Sequence, residues 1–213
     1  MINLPRIEIN RALSLARSSD VVLVDGGTAS GKSTLARSLQ ERIRHSFILS
    51  HDRFLRSRHE RSCLYQKYMT HRISVEDYHR ATWNLDALEE VVTVLIDARR
   101  HRMSAQVVVP RVVDRQACGT DFLSVPFDTI LVIEGLGALQ WNTEGLRSTR
   151  ILCETPSLAV GVSRKLDRPG RIGLTDEQVL ERYQNVERHH DAWNTARAVS
   201  RADYLYNSQN GSK

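Results

Sequence analysis

The chain has 213 residues, of which 41% are hydrophobic and 26% are charged. This composition excludes a disordered or fibrous protein and fits one compact domain spanning residues 1–213. No run of eighteen apolar residues and no N-terminal leader pattern is present, so we expect a soluble, cytoplasmic protein without a membrane segment. The net charge of +5 implies an anionic partner such as a polyphosphate or a nucleic acid.

Apolar runs and helical periodicity alternate along the chain, which predicts an α/β fold. Several apolar runs are continuous rather than alternating, a pattern that favours a parallel β-sheet core flanked by helices on both faces. Pro110 is expected to stop its strand because proline has no N–H for a strand ladder. The predicted strands are residues 21–24, 47–49, 106–109, 129–134, 151–153 and 203–206. The predicted helices are residues 10–19, 32–44 and 86–99, and two more that begin near residue 156 and at residue 175.

Residues 53–82 interrupt this alternation. They are rich in basic, histidine and tyrosine side chains and have few apolar positions in register. We therefore expect a small surface lobe here, on the acceptor side of the site, rather than a core element.

The segment between the first apolar strand and the next helix matches the phosphate-loop pattern G-x-x-x-x-G-K-[ST]. In such a loop, backbone N–H groups converge on phosphate oxygens at a helix N-terminus. Lys32 is expected to reach the β- and γ-phosphates, and the Ser33 hydroxyl to coordinate Mg²⁺. The sequence thus predicts a nucleoside triphosphate site, with ATP and Mg²⁺ as cofactors. Its residues are Gly26, Gly27, Thr28, Ala29, Ser30, Gly31, Lys32, Ser33 and Thr34.

Two acidic residues lie at the carboxyl ends of predicted strands, one as the last strand residue and one just beyond. Asp52 lies just beyond the second strand, where a carboxylate could accept a proton from an attacking hydroxyl or help to hold Mg²⁺. Capping of the following helix is the alternative role for Asp52. Glu134 ends the most apolar strand, a position typical of an acid that binds Mg²⁺ directly or through water. The alternative for Glu134 is a carboxylate bound to nearby backbone N–H groups.

A basic, glycine-containing loop separates the last two long helices. Such a loop is typical of a lid that closes over a transferring phosphoryl group, here residues 164–174. A solvated basic loop is the alternative. The basic residues of this segment are Arg164, Lys165, Arg168 and Arg171.

Several segments together resemble the uridine kinase and phosphoribulokinase family of P-loop kinases. Residues 26–34 are close to that family's phosphate loop, and residues 50–54, Ser-His-Asp-Arg-Phe, resemble its S-x-D-x-F segment. Residues 132–135, Val-Ile-Glu-Gly, resemble its V-x-E-G strand end. Weaker similarities lie at residues 86–88 (Asp-Ala-Leu), 164–168 (Arg-Lys-Leu-Asp-Arg) and 201–204 (Arg-Ala-Asp-Tyr).

The resemblance implies a role for each matching residue on the nucleotide side. Asp52 would be the catalytic base, and Glu134 would be linked to Mg²⁺ together with Ser33. Four basic residues would meet the triphosphate and the transferring group: Lys32, Arg164, Arg168 and Arg171.

On the acceptor side, the resemblance points to Asp52, Asp86 and Asp114 as substrate residues. The match is poorer here. Residues 83–85, Trp-Asn-Leu, stand where uridine kinases have an acid that contacts the ribose. Residues 110–114, Pro-Arg-Val-Val-Asp, lack the tyrosine of the family's proline-x-tyrosine-aspartate segment.

The function predicted from the sequence is ATP- and Mg²⁺-dependent transfer of the γ-phosphoryl group to a hydroxyl of a small molecule. The leading acceptor is a nucleoside such as uridine or cytidine, and pantothenate, nicotinamide riboside or a sugar are alternatives. The Asn-Lys-x-Asp motif with which GTPases read guanine is absent from the sequence. A P-loop ATPase stimulated by nucleic acid is a less favoured alternative, so nucleic acid is not the expected partner. The acceptor's identity, the choice between ATP and GTP, and assembly into a homo-oligomer stay open.

Overall fold

The computed structural model describes residues 3–113, 116–154, 157–167 and 175–208. No helix within these ranges is long and apolar enough to cross a membrane. In chain order, the described elements are β1 (Arg6–Ile7), α1 (Ile9–Arg17), β2 (Val21–Gly26), α2 (Lys32–Arg42), β3 (Ser46–Ser50), α3 (Arg58–Met69), α4 (Val75–Thr82), α5 (Leu85–Arg100), β4 (Ala105–Val113), β5 (Gln116–Val125), β6 (Ile130–Glu134), β7 (Ser148–Cys153), α6 (Leu158–Leu166), α7 (Asp176–Arg182), α8 (Arg188–Ala198) and β8 (Tyr204–Tyr206).

Six of the strands form one parallel sheet in the order β1-β8-β7-β2-β6-β3. Successive side chains of a strand point to opposite faces, so β2 contributes to two apolar layers. Val21 and Leu23 pack in the layer that contains α5. Val22 and Val24 pack in the layer that contains α1 and α2. Both faces are therefore buried, and the predicted α/β fold with a parallel core is confirmed.

A separate pair of antiparallel strands, β4 and β5, differs from the sequence prediction. Pro110 does not stop its strand, because β4 continues to Val113. In a sheet of two strands both strands are edges, where a residue without an N–H is tolerated. The register shifts between Pro110 and Val112, which marks an irregularity of the β-bulge kind. The sequence analysis did not predict β5, whose polar and apolar side chains do not alternate regularly around Gly119.

The segment predicted as a surface lobe folds into a 3₁₀ turn, His51–Phe54, followed by α3 and α4. Both helices begin with a capping box, in which a serine hydroxyl and an acidic side chain three residues later satisfy each other's backbone N–H groups. Helix α3 has no buried residue, as a surface lobe requires. Helix α4 differs from that expectation because it buries Tyr78, His79 and Thr82.

Candidate functional site

The phosphate loop connects β2, in the middle of the parallel sheet, to α2. Gly31 has a φ of +94°, a left-handed conformation that glycine adopts without steric cost. It is the N-cap of α2, so Lys32 begins the helix. The first N–H groups of a helix have no partner within it, and together with the helix dipole they attract anions. The predicted loop thus has the local geometry of a phosphate site.

The Lys32 side chain turns back across the loop. Its Nζ donates a hydrogen bond to the Gly27 carbonyl oxygen at 2.8 Å. This position keeps the ammonium group directly over the glycine-rich backbone. A phosphate oxygen in the loop would therefore meet a cation that is already in place.

Glu134 and two serines form a small oxygen cluster beside the loop. Parallel pairing of β3 and β6 sets Ser50 opposite Glu134, and the Ser50 hydroxyl donates to Glu134 Oε1. Ser33, in the first turn of α2, donates to Glu134 Oε2 at 3.3 Å. The carboxylate is buried, and burial together with nearby Asp52 raises its pKa. A bound cation would offset both effects.

This donor set fits Mg²⁺ rather than a metal held by protein alone. The described residues contain no group of three His, Cys, Asp or Glu side chains arranged to bind an ion. Mg²⁺ is usually bound by one or two carboxylates, waters and substrate phosphates. Glu134 and the Ser33 hydroxyl are the residues that would hold it here.

Asp52 lies in the 3₁₀ turn after β3, and its side chain is exposed. The alternative role of Asp52 as a helix cap is wrong, because Ser50 caps this turn and accepts the Asp52 N–H at 3.3 Å. Ser50 pairs with Glu134 across the sheet and Asp52 follows Ser50 by two residues, so the two carboxyl groups lie at the same end of the sheet. The structure thus brings Asp52, Glu134 and the phosphate loop to one edge of the sheet.

His51 holds this turn against the loop that follows β6. Its Nδ1 lies 3.1 Å from the Leu136 carbonyl oxygen, and the Trp141 indole N–H donates to its Nε2 at 3.0 Å. This pairing assigns the proton to Nδ1. Burial lowers the pKa of His51 to about 4, so the ring is a neutral anchor at physiological pH. The neighbouring Asp52 side chain, by contrast, is exposed to solvent.

Arg164, near the end of α6, lies against the phosphate loop. Its Nη1 donates to the Ala29 carbonyl oxygen at 2.8 Å and to the Ser208 hydroxyl at 2.9 Å. The structure therefore joins Arg164 to the predicted nucleotide residues. Arg168 and Arg171, with the rest of the lid after residue 167, lie outside the described residues, as does Asp114.

Asp86 lies away from this cluster, in the first turn of α5. It lines a cavity of about 690 Å³ between α5, α8 and the loop after β6. Asp25, Trp141 and Asn194 also line this cavity, whereas Asp52 does not. The structure thus sets Asp86 in a cavity that Asp52 does not line.

Asp25, which the sequence reading did not single out, is the most heavily bonded carboxylate here. It is buried and accepts hydrogen bonds from the N–H groups of Gly26 (2.6 Å), Gly137 (3.1 Å) and Leu139 (3.1 Å). Its fourth donor is the Asn194 side chain, at 2.9 Å. The sequence signal that could have identified Asp25 is an acidic residue within an apolar strand, β2. Asp25 ties the start of the phosphate loop to the loop after β6 and to α8.

A second missed acid, Asp191 on α8, packs directly on the phosphate loop. A Cβ added to Gly27 would lie 2.7 Å from Asp191 Cγ, so only glycine permits this approach. Thr28 lies beside the carboxylate and favours its charged form, but neither oxygen makes a hydrogen bond of regular geometry among the described residues. Burial is the dominant effect and raises the pKa of Asp191 to about 6.

Replacing Asp191 with asparagine is expected to stabilise the protein at neutral pH. The folded-state pKa of about 6 exceeds the unfolded value near 4, so stability is lost as pH rises between them. Asp191→Asn removes this penalty of roughly 3 kcal/mol, which is present at about pH 7.5 and small near pH 4. Urea unfolding at the two pH values measures the difference.

The control for this experiment is Asp20→Asn. The pKa of Asp20 is lowered by its hydrogen bonds to Arg147, so its neutral variant is expected to be less stable at neutral pH. An Asp191→Asn protein that is no more stable than wild type at about pH 7.5 would contradict the assignment of a costly buried charge.

Comparisons with known proteins support the architecture. No protein-family model matches the sequence, and no curated protein matches it significantly.

Solved structures do match the fold. A proposed fructose transport system kinase from Silicibacter sp. TM1040 has 20% identity and a TM-score of 0.56, with 94% of this chain and 98% of that chain covered. A proposed uridine kinase from Bacillus stearothermophilus has 14% identity and a TM-score of 0.56, with 97% and 91% covered. The YGR205w protein has 16% identity and a TM-score of 0.52, with 81% and 76% covered. The chain therefore has the fold of the uridine kinase and phosphoribulokinase-like P-loop kinases.

Proposed function

We propose that this protein is an ATP- and Mg²⁺-dependent kinase that phosphorylates a hydroxyl group of a small molecule. The observation that carries the proposal is the meeting of four side chains at one sheet edge. Lys32 donates to the Gly27 carbonyl oxygen of the phosphate loop, and Ser33 donates to Glu134. Asp52 lies two residues beyond Ser50, which pairs with Glu134. A phosphate binder, a metal-binding pair and an exposed base are the parts that phosphoryl transfer requires.

In the proposed reaction, the chain contributes positioning and charge rather than covalent chemistry. The loop N–H groups and Lys32 bind the β- and γ-phosphates. Glu134, held by Ser33 and Ser50, stays ionised when a cation is present. Bound Mg²⁺ supplies charge neutralisation on the phosphate oxygens. Arg164, which contacts the loop at Ala29, would neutralise charge that develops on the transferring group.

Asp52 is the proposed general base. Its carboxylate is exposed, at the carboxyl end of β3, where ligands bind in open parallel sheets. It accepts the proton of the acceptor hydroxyl as the oxygen attacks the γ-phosphorus. The bond from that phosphorus to the β–γ bridging oxygen breaks, and ADP leaves.

The function is tested by acceptor-dependent release of ADP. Nucleosides, pantothenate, nicotinamide riboside and sugars are each supplied with ATP and Mg²⁺, and Lys32→Ala is the blank. We expect slow ATP hydrolysis alone, acceleration with one class of acceptor, and loss of both when EDTA removes the metal. Acceleration by RNA or DNA, with a steep salt dependence, would instead indicate a nucleic-acid-stimulated ATPase.

A further inference from the structure

The β4–β5 pair reaches the same turn that carries Asp52. Arg53, the next residue, donates from Nη1 to the Pro110 carbonyl oxygen on β4 at 3.4 Å and to Asp121 Oδ2 on β5 at 3.3 Å. The two-stranded sheet is thus tied to the turn through one guanidinium group.

The face of the two-stranded sheet that packs on the core is apolar at one end and charged at the end near the turn. Val107, Val109 and Val125 are buried in the core layer that contains α5. Asp121 is paired with Val109, so its side chain lies on the same face. It is the charged residue of this face nearest the turn. The register shift after Pro110 occurs here, and bulges of this kind re-aim side chains beside functional sites. Arg111 donates from Nε to Asp121 Oδ1 at 2.7 Å.

Among the described residues, Arg53 and Arg111 therefore share one carboxylate, that of Asp121. The hydrogen bond from Arg111, with the charge of Arg53, lowers the pKa of Asp121, so the aspartate is ionised. The side chains of Arg53 and Arg111 are 33% and 57% exposed. Among the residues that the structure describes, Nε and Nη2 of Arg53 and both Nη atoms of Arg111 have no hydrogen-bond acceptor. These are the forked donors that bind carboxylates and phosphates in pairs.

We propose that Arg53 and Arg111 bind an anionic group of the acceptor, so that the substrate is a hydroxylated carboxylate or phosphate rather than a neutral nucleoside. This inference rests on the proposed kinase function. Asp121 holds the two guanidinium groups together, and Asp52 receives the hydroxyl. Because residues 52 and 53 are adjacent in the turn, the hydroxyl and the anionic group of the acceptor would meet neighbouring residues of the chain.

The first test compares acceptors in matched pairs that differ in the anionic group: pantothenate with panthenol, glycerate with glycerol, and fructose 6-phosphate with fructose. The pairs also separate carboxylate from phosphate as the recognised group. We expect ADP release with the anionic member of one pair and little with its neutral partner. Arg111→Gln should raise the KM for that acceptor about 10- to 100-fold and leave the KM for ATP unchanged, as loss of a charge-assisted hydrogen bond predicts.

Arg72→Gln, at an exposed arginine of the same lobe, is the matched control and should leave both KM values unchanged. Arg53→Gln provides a second variant if Arg111→Gln does not fold. Equal turnover of the neutral and anionic members of a pair would overturn the proposal. Unchanged acceptor KM in folded variants of both arginines would also overturn it.

A second test does not depend on turnover. The full chain, with its arginine side chains labelled with ¹⁵N and with Mg²⁺ and a non-hydrolysable ATP analogue bound, is titrated with inorganic phosphate or acetate against a chloride control. We expect saturable shifts of the Arg53 and Arg111 Nε–H resonances. Resonances that follow the chloride control would refute the anion site. If these shifts occur but no acceptor promotes ADP release, the kinase proposal fails while the anion site stands.

Discussion

Asp52→Asn is expected to lower kcat about 10²- to 10⁴-fold, the range that general-base catalysis contributes. The amide is nearly the same size as the carboxylate but cannot accept the proton of the attacking hydroxyl. Asp52 is exposed and does not cap its turn, so the fold and the affinity for ATP should be retained. Initial rates at saturating ATP and acceptor, with ATP binding measured separately, check this expectation.

The control for this experiment is Asp128→Asn, at an exposed aspartate that has no proposed role, and it should keep full turnover. Full turnover of Asp52→Asn with intact ATP binding would show that another group takes the proton. A parallel loss of ATP affinity would instead indicate that Asp52 acts through the metal beside Glu134.

Asp25→Ala is expected to lower the free energy of unfolding by about 3–5 kcal/mol, because it leaves buried polar groups without a hydrogen-bond partner. The substitution leaves four donors without their acceptor: the N–H groups of Gly26, Gly137 and Leu139, and the Asn194 amide. Urea unfolding at neutral pH measures the change. Because these donors join three separate segments, the phosphate loop should also bind ATP more weakly.

Asp97→Ala is the comparison for stability. Asp97 pairs with Arg100 three residues later at 2.8 Å, and its side chain is 49% exposed, so its loss should change stability by less than about 1 kcal/mol. Asp25 lines the same cavity as Asp97. If Asp25→Ala lowers the free energy of unfolding as little as Asp97→Ala, cavity water replaces the carboxylate. Asp25 then does not hold the three segments together.

Much of the nucleotide side could be predicted because its signals are local. A phosphate loop requires its glycines, lysine and serine within eight positions, and the strand and helix around it follow from apolar runs. The parallel pairing that sets Ser50 beside Glu134 was implied only in part, because it depends on which strands become neighbours. The roles assigned to Asp52, Arg164 and Glu134 stay predictions until variants are measured.

The acceptor side could not be predicted in the same way. Pro110 pointed to the end of a strand, yet β4 continues past it and pairs with β5, which has no regular alternation of polar and apolar residues. Asp86 matched a family segment, but the structure sets it in the cavity lined by Asp25. The contact between Arg53 and Asp121 depends on this unpredicted pairing, so no sequence spacing signalled it.

The sequence by itself determined the α/β class, the phosphate loop and the acids that end two strands, because periodicity and short motifs are properties of neighbouring residues. Only the tertiary structure decided which distant groups meet. Asp25 bonds to partners 112 and 169 positions away, in Gly137 and Asn194, and Asp191 reaches Gly27 from α8. Such contacts follow from strand order and helix packing, which bring remote segments together only after the whole core has formed.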